Sequence, residues 1–207
     1  MKKVLCFLLF LNFLSLSLVS CSEQEITKEE LFPAVEELVE ESKILNEIIF
    51  GEGIPTLASG KAVGYYRECN MLVLSDWGFE SVADIKAAIA RIYSHSMASF
   101  MEERAFASLT AGDAVQGARY YEDEDGVLMA KSNAEVFLTG DVVYDYSTLR
   151  ILSQRKGIVS MEMQATVSSA SGSKQVRTIT LEVEKKGNTF KLNSPTYLVY
   201  DEYLDKN

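Results

Sequence analysis

The ten residues from Ile158 to Val167, IVSMEMQATV, alternate without a break. Val159, Met161, Met163, Ala165 and Val167 fall on one side, and Ser160, Glu162, Gln164 and Thr166 on the other. A period of two with one apolar side is the signature of a strand buried on a single face. A second run, VRTITLEVE, repeats the pattern through Ile179, Leu181 and Val183. A sheet with one apolar face needs a second layer to cover it. The search for that layer organises the rest of the chain.

Two helical patterns precede the strands. In residues 76–101 Ser81 fits an N-cap with Asp84 at the third helical position, a capping box with Asp in place of the preferred Glu or Gln. Val82, Ile85, Ile89 and Ile92 then form one apolar stripe, and a second short helical run follows, extending through EERAF. This unit is expected to lie on the later sheet. Upstream, Thr27 and Glu30 make a capping box ahead of a helix over 28–50, with Pro33 in its first turns and Gly51, Gly53 and Pro55 ending it. Its charged middle, VEELVEESK, is expected to face solvent; an acid-lined binding surface is the sharper alternative.

Between the helices, residues 51–64 read as a loop, and Gly51-Glu52-Gly53 is too short for a phosphate loop. Tyr65 to Leu74 reads as one strand, or two broken at Asn70. After residue 112 the pattern is an antiparallel meander. Its expected strands are Ala118–Tyr121 and Val127–Ala130 around the turn EDEDG, then Ala134–Leu138, Ser147–Ser153, the two alternating runs, a hairpin through Phe190 and Leu192, and Thr196–Tyr200. The expectation is a single α+β domain over 27–207, with helices on the concave side of a curved antiparallel sheet. A division near residue 112 into a helical and a β domain ranks lower.

The N-terminus carries an address. Lys2 and Lys3 precede an almost continuous apolar run from Val4 to Val19. That run is shorter than the roughly 18–20 residues a spanning helix needs, so it reads as a secretory signal. Leu18-Val19-Ser20-Cys21 resembles the lipobox of bacterial lipoproteins, in which the cysteine is lipidated and becomes the first mature residue. The resemblance implies a signal over 1–20, lipidated Cys21 with a tether to residue 26, and anchorage on the extracellular face of the cytoplasmic membrane without crossing it. The chain carries 20 basic and 30 acidic side chains, a net charge of −10, which becomes −12 once Lys2 and Lys3 leave. Such a balance argues against nucleic acid, and against an anionic membrane surface, as a partner.

Chemistry-bearing residues are sparse. With Cys6 in the signal and Cys21 lipidated, Cys69 is the one remaining thiol, expected to be buried and inert rather than a catalytic thiolate. His95 is the only histidine, so a histidine-based zinc site lacks partners, and no nucleophile-elbow motif supports a Ser-His-Asp arrangement. Asp123, Glu124 and Asp125 lack EF-hand spacing and read as a solvated turn. No cofactor or metal is expected. The aromatics remain: Tyr65 and Tyr66, and Tyr120 and Tyr121, are adjacent pairs that an extended chain sends to opposite faces. With Trp77, Tyr93 and His95 they form the candidate ligand or partner patch, core packing being the bland reading for most of them.

The run YYRECNMLVLSDWGFESVADIKAAIARIYSHSMASFM is similar to a pattern of small secreted proteins and lipoproteins of Gram-positive bacteria, through Phe79, Ser81, Asp84-Ile85 and Tyr93-Ser94. RYYEDEDGVLMAK resembles the acidic turn that follows in that group, here with Gly126-Val127-Leu128-Met129. GNTFKLNSPTY resembles the closing hairpin of NTF2-like and cystatin-like lipoproteins, with Phe190 where tryptophan is usual. One branch of this group inhibits cell-wall endopeptidases. The resemblance implies an NTF2-like or cystatin-like domain acting as a non-catalytic, lipid-anchored envelope protein that binds or inhibits an extracellular protein or cell-wall partner. A small-ligand carrier or enzyme using an NTF2-like cavity near Trp77 and His95 is the alternative, and a purely structural envelope role the third.

Overall fold

The computed structural model describes residues 26–106, 118–136, 142–168 and 174–196. In them the chain is α+β: four helices and two separate four-stranded antiparallel sheets.

Helix α1, Lys28–Phe50, starts as its capping box requires, with the Thr27 hydroxyl accepting from the Glu30 N–H. Leu31, Val35, Leu38, Leu45, Ile48 and Ile49 are all buried. Glu36, Glu37 and Glu40 stand in solvent, as the charged middle of the helix predicts. After a loop come β1, Ala62–Val63, and β2, Tyr66–Glu68. The apolar MLVLSD, read as strand, is instead the short helix α2, Met71–Asp76. Asn70 is not a break within a strand but the N-cap, its side chain accepting from the Leu72 N–H at 3.2 Å. Helix α3, Val82–Ile92, has the expected cap: the Ser81 hydroxyl accepts from the Asp84 N–H, and the Asp84 carboxylate accepts back from the Glu80 N–H at 3.0 Å. Its stripe of Val82, Ile85, Ile89 and Ile92 is fully used, each residue at most 8% exposed. Helix α4, His95–Ala105, follows at once.

The strands after the helices do not form one meander. β3, Tyr120–Glu122, and β4, Leu128–Lys131, make a hairpin that joins β1 and β2 in the order β1-β2-β4-β3. The long strands β5, Val142–Arg155, β6, Ile158–Ser168, and β7, Lys174–Lys186, with the short β8, Thr189–Leu192, form the large sheet in sequential order. Both alternating runs are strands in the predicted phase, with Met161 opposite Leu181 and Met163 opposite Ile179, all buried. β5 begins five residues before the expected Ser147 and breaks register with β6 between Asp145 and Arg150 and again between Ile151 and Ser153. Ala134 to Val136 is not strand, and the rest of that expected element lies outside the described residues, as do residues 197–200 of the last one.

The cover layer is chiefly α1. Its side chains reach the large sheet at several points: Tyr146 donates to Glu40 at 2.7 Å, and Lys185 pairs with Glu30 at 2.6 Å. Helix α3 packs on α1 and α4 and meets the sheet at β8, where Lys191 donates to the Ala90 carbonyl at 2.6 Å and, just past the helix, the Ser94 N–H donates to the Leu192 carbonyl at 2.8 Å. A buried polar cluster closes this layer. The Thr196 hydroxyl lies 2.7 Å from the Ser42 hydroxyl and accepts from Asn46 at 2.8 Å, while Tyr144 donates to the Thr196 carbonyl and Tyr93 to Asn46.

A second clamp joins α1 to the small sheet. The last carbonyls of a helix have no intrahelical partner. Here Tyr120 Oη donates to the Ile48 carbonyl at 2.7 Å and accepts from the Ile54 N–H at 2.9 Å. The Arg119 guanidinium, 7% exposed as a residue, donates to the carbonyls of Ile49, Gly51 and Glu135. A cation at this end also complements the helix dipole.

Candidate functional site

The small sheet has two unlike faces. Strand alternation and register place Tyr120, Leu128 and Ala130 toward α1, where all three are buried. The opposite face carries Tyr66, Glu68, Tyr121, Met129 and Lys131. On it the Tyr66 and Tyr121 rings meet edge to face, with centroids 4.7 Å apart. Tyr66 Oη donates to the Ala118 carbonyl at 2.8 Å, and Met129, directly opposite both Glu68 and Tyr121, is fully buried.

The segment from Leu57 to Leu72, which supplies β1, β2 and the start of α2, carries uncovered apolar side chains. Leu57, Val63, Tyr65, Met71 and Leu72 are all exposed, Leu72 at 78% and Tyr65 at 68%. Five such side chains within sixteen residues are a concentration, whereas single exposed apolar groups are ordinary. Polar contacts hold this segment in place. Lys61 Nζ bridges Asp123 at 2.5 Å and Asp125 at 2.9 Å, and the Lys61 N–H donates to Glu68 at 2.7 Å. Ser132 donates twice to the Tyr65 carbonyl, from its N–H and from its hydroxyl. The acidic turn predicted to be simply solvated is therefore a latch. The Lys61 ammonium, with the Val127 N–H behind it, holds the Asp123 carboxyl below its ordinary range, and Asp123 in turn raises Lys61.

Of the candidate patch, Tyr66 and Tyr121 come together on this face, and Tyr65 is exposed in the turn before β2. Tyr93 and Tyr120 do not; each is 1% exposed and belongs to the interior. Trp77 caps α2 and lies half-buried against the core, and His95 is exposed at the first position of α4. The hydroxyl beside His95 is committed elsewhere: Ser94 Oγ caps α4 by accepting from the Met97 N–H and donates to Asn193 at 2.6 Å. Cys69 is fully buried, and burial, with a smaller push from Glu68, moves its thiol up to about 12, so it is no thiolate. Cys21 lies outside the described residues. Sequence reasoning missed Leu57, Val63, Met71, Leu72 and the Lys61 latch. Spacing alone did not separate the exposed apolar residues from core positions.

Among the described residues no group of three or more His, Cys, Asp or Glu side chains is placed to hold a metal ion. No described helix is long and apolar enough to cross a membrane. Comparison with protein-family models and with curated proteins returns no match to this chain.

Proposed function

We propose that the chain is a lipid-anchored bacterial cell-envelope protein, of the Gram-positive type its sequence resembles. In this reading its folded part is a non-catalytic binding domain of NTF2-like or cystatin-like layout. The observation that carries the binding role is the set of exposed apolar side chains Leu57, Val63, Tyr65, Met71 and Leu72 along the β1–β2 hairpin and the start of α2, with the Tyr66–Tyr121 pair on the small sheet. Exposed aromatic and aliphatic groups on a rigid frame suit a protein partner, because little ordering entropy is lost on contact. The layout reading draws on α1 lying across a sequential antiparallel meander whose first strand carries two register breaks. The address draws on the lipobox, Leu18 to Cys21. The partner is an extracellular protein, a cell-wall endopeptidase in the narrower form suggested by the resemblance.

The test mixes the full chain with purified cell-wall endopeptidases and follows cleavage of peptidoglycan peptides. Inhibition that is lost in Leu72→Asp and in Tyr65→Ala, both with unchanged unfolding transitions, supports the reading. Inhibition indifferent to both substitutions moves the binding surface elsewhere. No inhibition across the hydrolase set removes the inhibitory form.

A further inference from the structure

The five exposed apolar side chains between Leu57 and Leu72 sit in a segment with little charge of its own. From Pro55 to Leu72 there are three charged residues, and each is engaged. Lys61 bridges Asp123 and Asp125, Arg67 donates to the carbonyls of Gly64 and Tyr66, and the Glu68 carboxylate accepts from the Lys61 N–H. Two exposed acids border the apolar groups directly. Asp76 stands four residues after Leu72 in α2, on the same side of that helix. Glu124 is in the turn that Lys61 holds against the segment.

The wider surround is one-sided. In the small sheet and the chain that feeds it, residues 51–80 and 118–136, nine acids stand against four cations. Of the four, Arg119 is buried in the clamp and Lys61 is outnumbered at its own latch. The elements that meet this unit do not redress the balance. The end of α1 brings Glu47, and α4 brings Glu102 and Glu103 against Arg104, with Lys86 of α3 over the Phe106 ring. The stretches 107–117 and 137–141 carry no cation. The basic turns of the large sheet are at the other end of α1, where Lys185 pairs with Glu30, along a helix roughly 35 Å long.

We propose that this surface takes a cationic polypeptide, one whose apolar side chains are flanked by lysine or arginine. The proposal rests on the binding reading above and adds the partner's charge to it. An apolar centre within a charged rim is the anatomy of a protein-binding surface, and the sign of the rim selects what approaches. The apolar groups supply most of the affinity, and the acids steer the encounter and turn acidic competitors away. A second copy of the chain does not fit, because it brings the same acidic rim and a net charge of −10.

The experiment titrates the isotope-labelled full chain with three short synthetic peptides and follows its backbone amides by NMR. One peptide alternates leucine with lysine, the second leucine with glutamate, and the third serine with lysine. The expected result is that the leucine–lysine peptide shifts amides of 57–72 and of the 123–126 turn, that the serine–lysine peptide binds roughly tenfold more weakly, and that the leucine–glutamate peptide does not bind. Leu72→Ser weakens the leucine–lysine peptide roughly tenfold. Glu124→Lys weakens it about fivefold and flattens its dependence on salt, whereas Glu37→Lys, the same change on the solvent side of α1, leaves both unaltered. Equal binding of the leucine–glutamate peptide on the same amides overturns the cationic partner and leaves the apolar binding surface standing. Equal binding of the serine–lysine peptide, or equal effects of Glu124→Lys and Glu37→Lys, reduces the contact to diffuse charge attraction and overturns the proposal. Binding of the leucine–lysine peptide that ignores Leu72→Ser, or no binding up to about 1 mM, overturns the proposal and, with it, the use of this segment as a binding surface.

Discussion

Tyr120→Phe isolates the clamp between α1 and the small sheet, because it removes one buried oxygen and leaves the ring. That oxygen serves two backbone groups, the Ile48 carbonyl at 2.7 Å and the Ile54 N–H at 2.9 Å, and lies 3.3 Å from Arg119 Nε. Neither backbone group has water to turn to, since Ile48, Ile54 and Tyr120 are all 3% exposed or less. An unpaired buried polar group costs about 1–3 kcal/mol, so two of them, with some re-pairing through Arg119, give about 3 kcal/mol. Against a total of roughly 5–15 kcal/mol this is a large loss, and it corresponds to a melting temperature lower by about 6–12 °C for a domain of this size. The assay is denaturant unfolding of the full chain followed by circular dichroism, with an unchanged slope on denaturant as the check that only stability has moved. Tyr121→Phe makes the same chemical change on the half-exposed neighbour and is expected to stay within about 0.5 kcal/mol. A loss at Tyr120 no larger than at Tyr121 refutes the claim that the hydroxyl closes the end of α1.

Gly53→Ala attacks the same clamp from the backbone side. At φ +83° an added Cβ meets Tyr120 Oη at 2.4 Å, so the expected loss is about 2 kcal/mol or more, against about 1 kcal/mol for Gly126→Ala, where φ is +76° and the space is open. Unfolding curves of the two variants check the ordering. Tyr144 and Cys69 are both pushed up to about 12 by burial, which favours their neutral forms in the fold. Their contribution is complete below the unfolded values, about 10 and about 8.5, and is lost as pH rises toward 12, so stability falls across that alkaline window and falls less steeply in Tyr144→Phe. Peptide mapping after alkylation is expected to find Cys69 modified only in denaturant, and modification of the native chain at the rate of a free thiol overturns its burial.

Local signals carried far into this fold. Thr27 with Glu30 and Ser81 with Asp84 announced two helix starts, and the structure makes both capping contacts. The alternation from Ile158 to Val167 placed every buried side chain of β6 correctly, because a half-covered strand has no other way to write itself. MLVL, by contrast, is continuously apolar and has no period to read; only the Asn70 cap, a weak sign by itself, marks it as helix. The two-sheet division was not legible either. It depends on β4 pairing back to β2, from Met129 to Glu68, across sixty residues, and nothing local distinguishes that partner from the next strand in the chain. The tyrosine pairs show both sides at once. Adjacency correctly predicted that Tyr120 and Tyr121 part company, but the sequence held no sign that Tyr120 is the one that closes a helix while Tyr121 faces outward beside Tyr66.

Thr196 gives the buried polar cluster a consequence in time. Ser42 and Asn46 lie near the start of the folded part, and the group that satisfies them lies 154 and 150 residues later. Until that residue is in place, Ser42 keeps only its bond to the Val39 carbonyl and Asn46 only the one from Tyr93, so the Asn46 amide N–H faces the core unmet and the seat of α1 on the large sheet is weakened. Contacts of such sequence separation make folding slow, because a long loop must close before they form. The cluster therefore cannot close on α1 alone and is completed only when residue 196 joins Ser42 and Asn46.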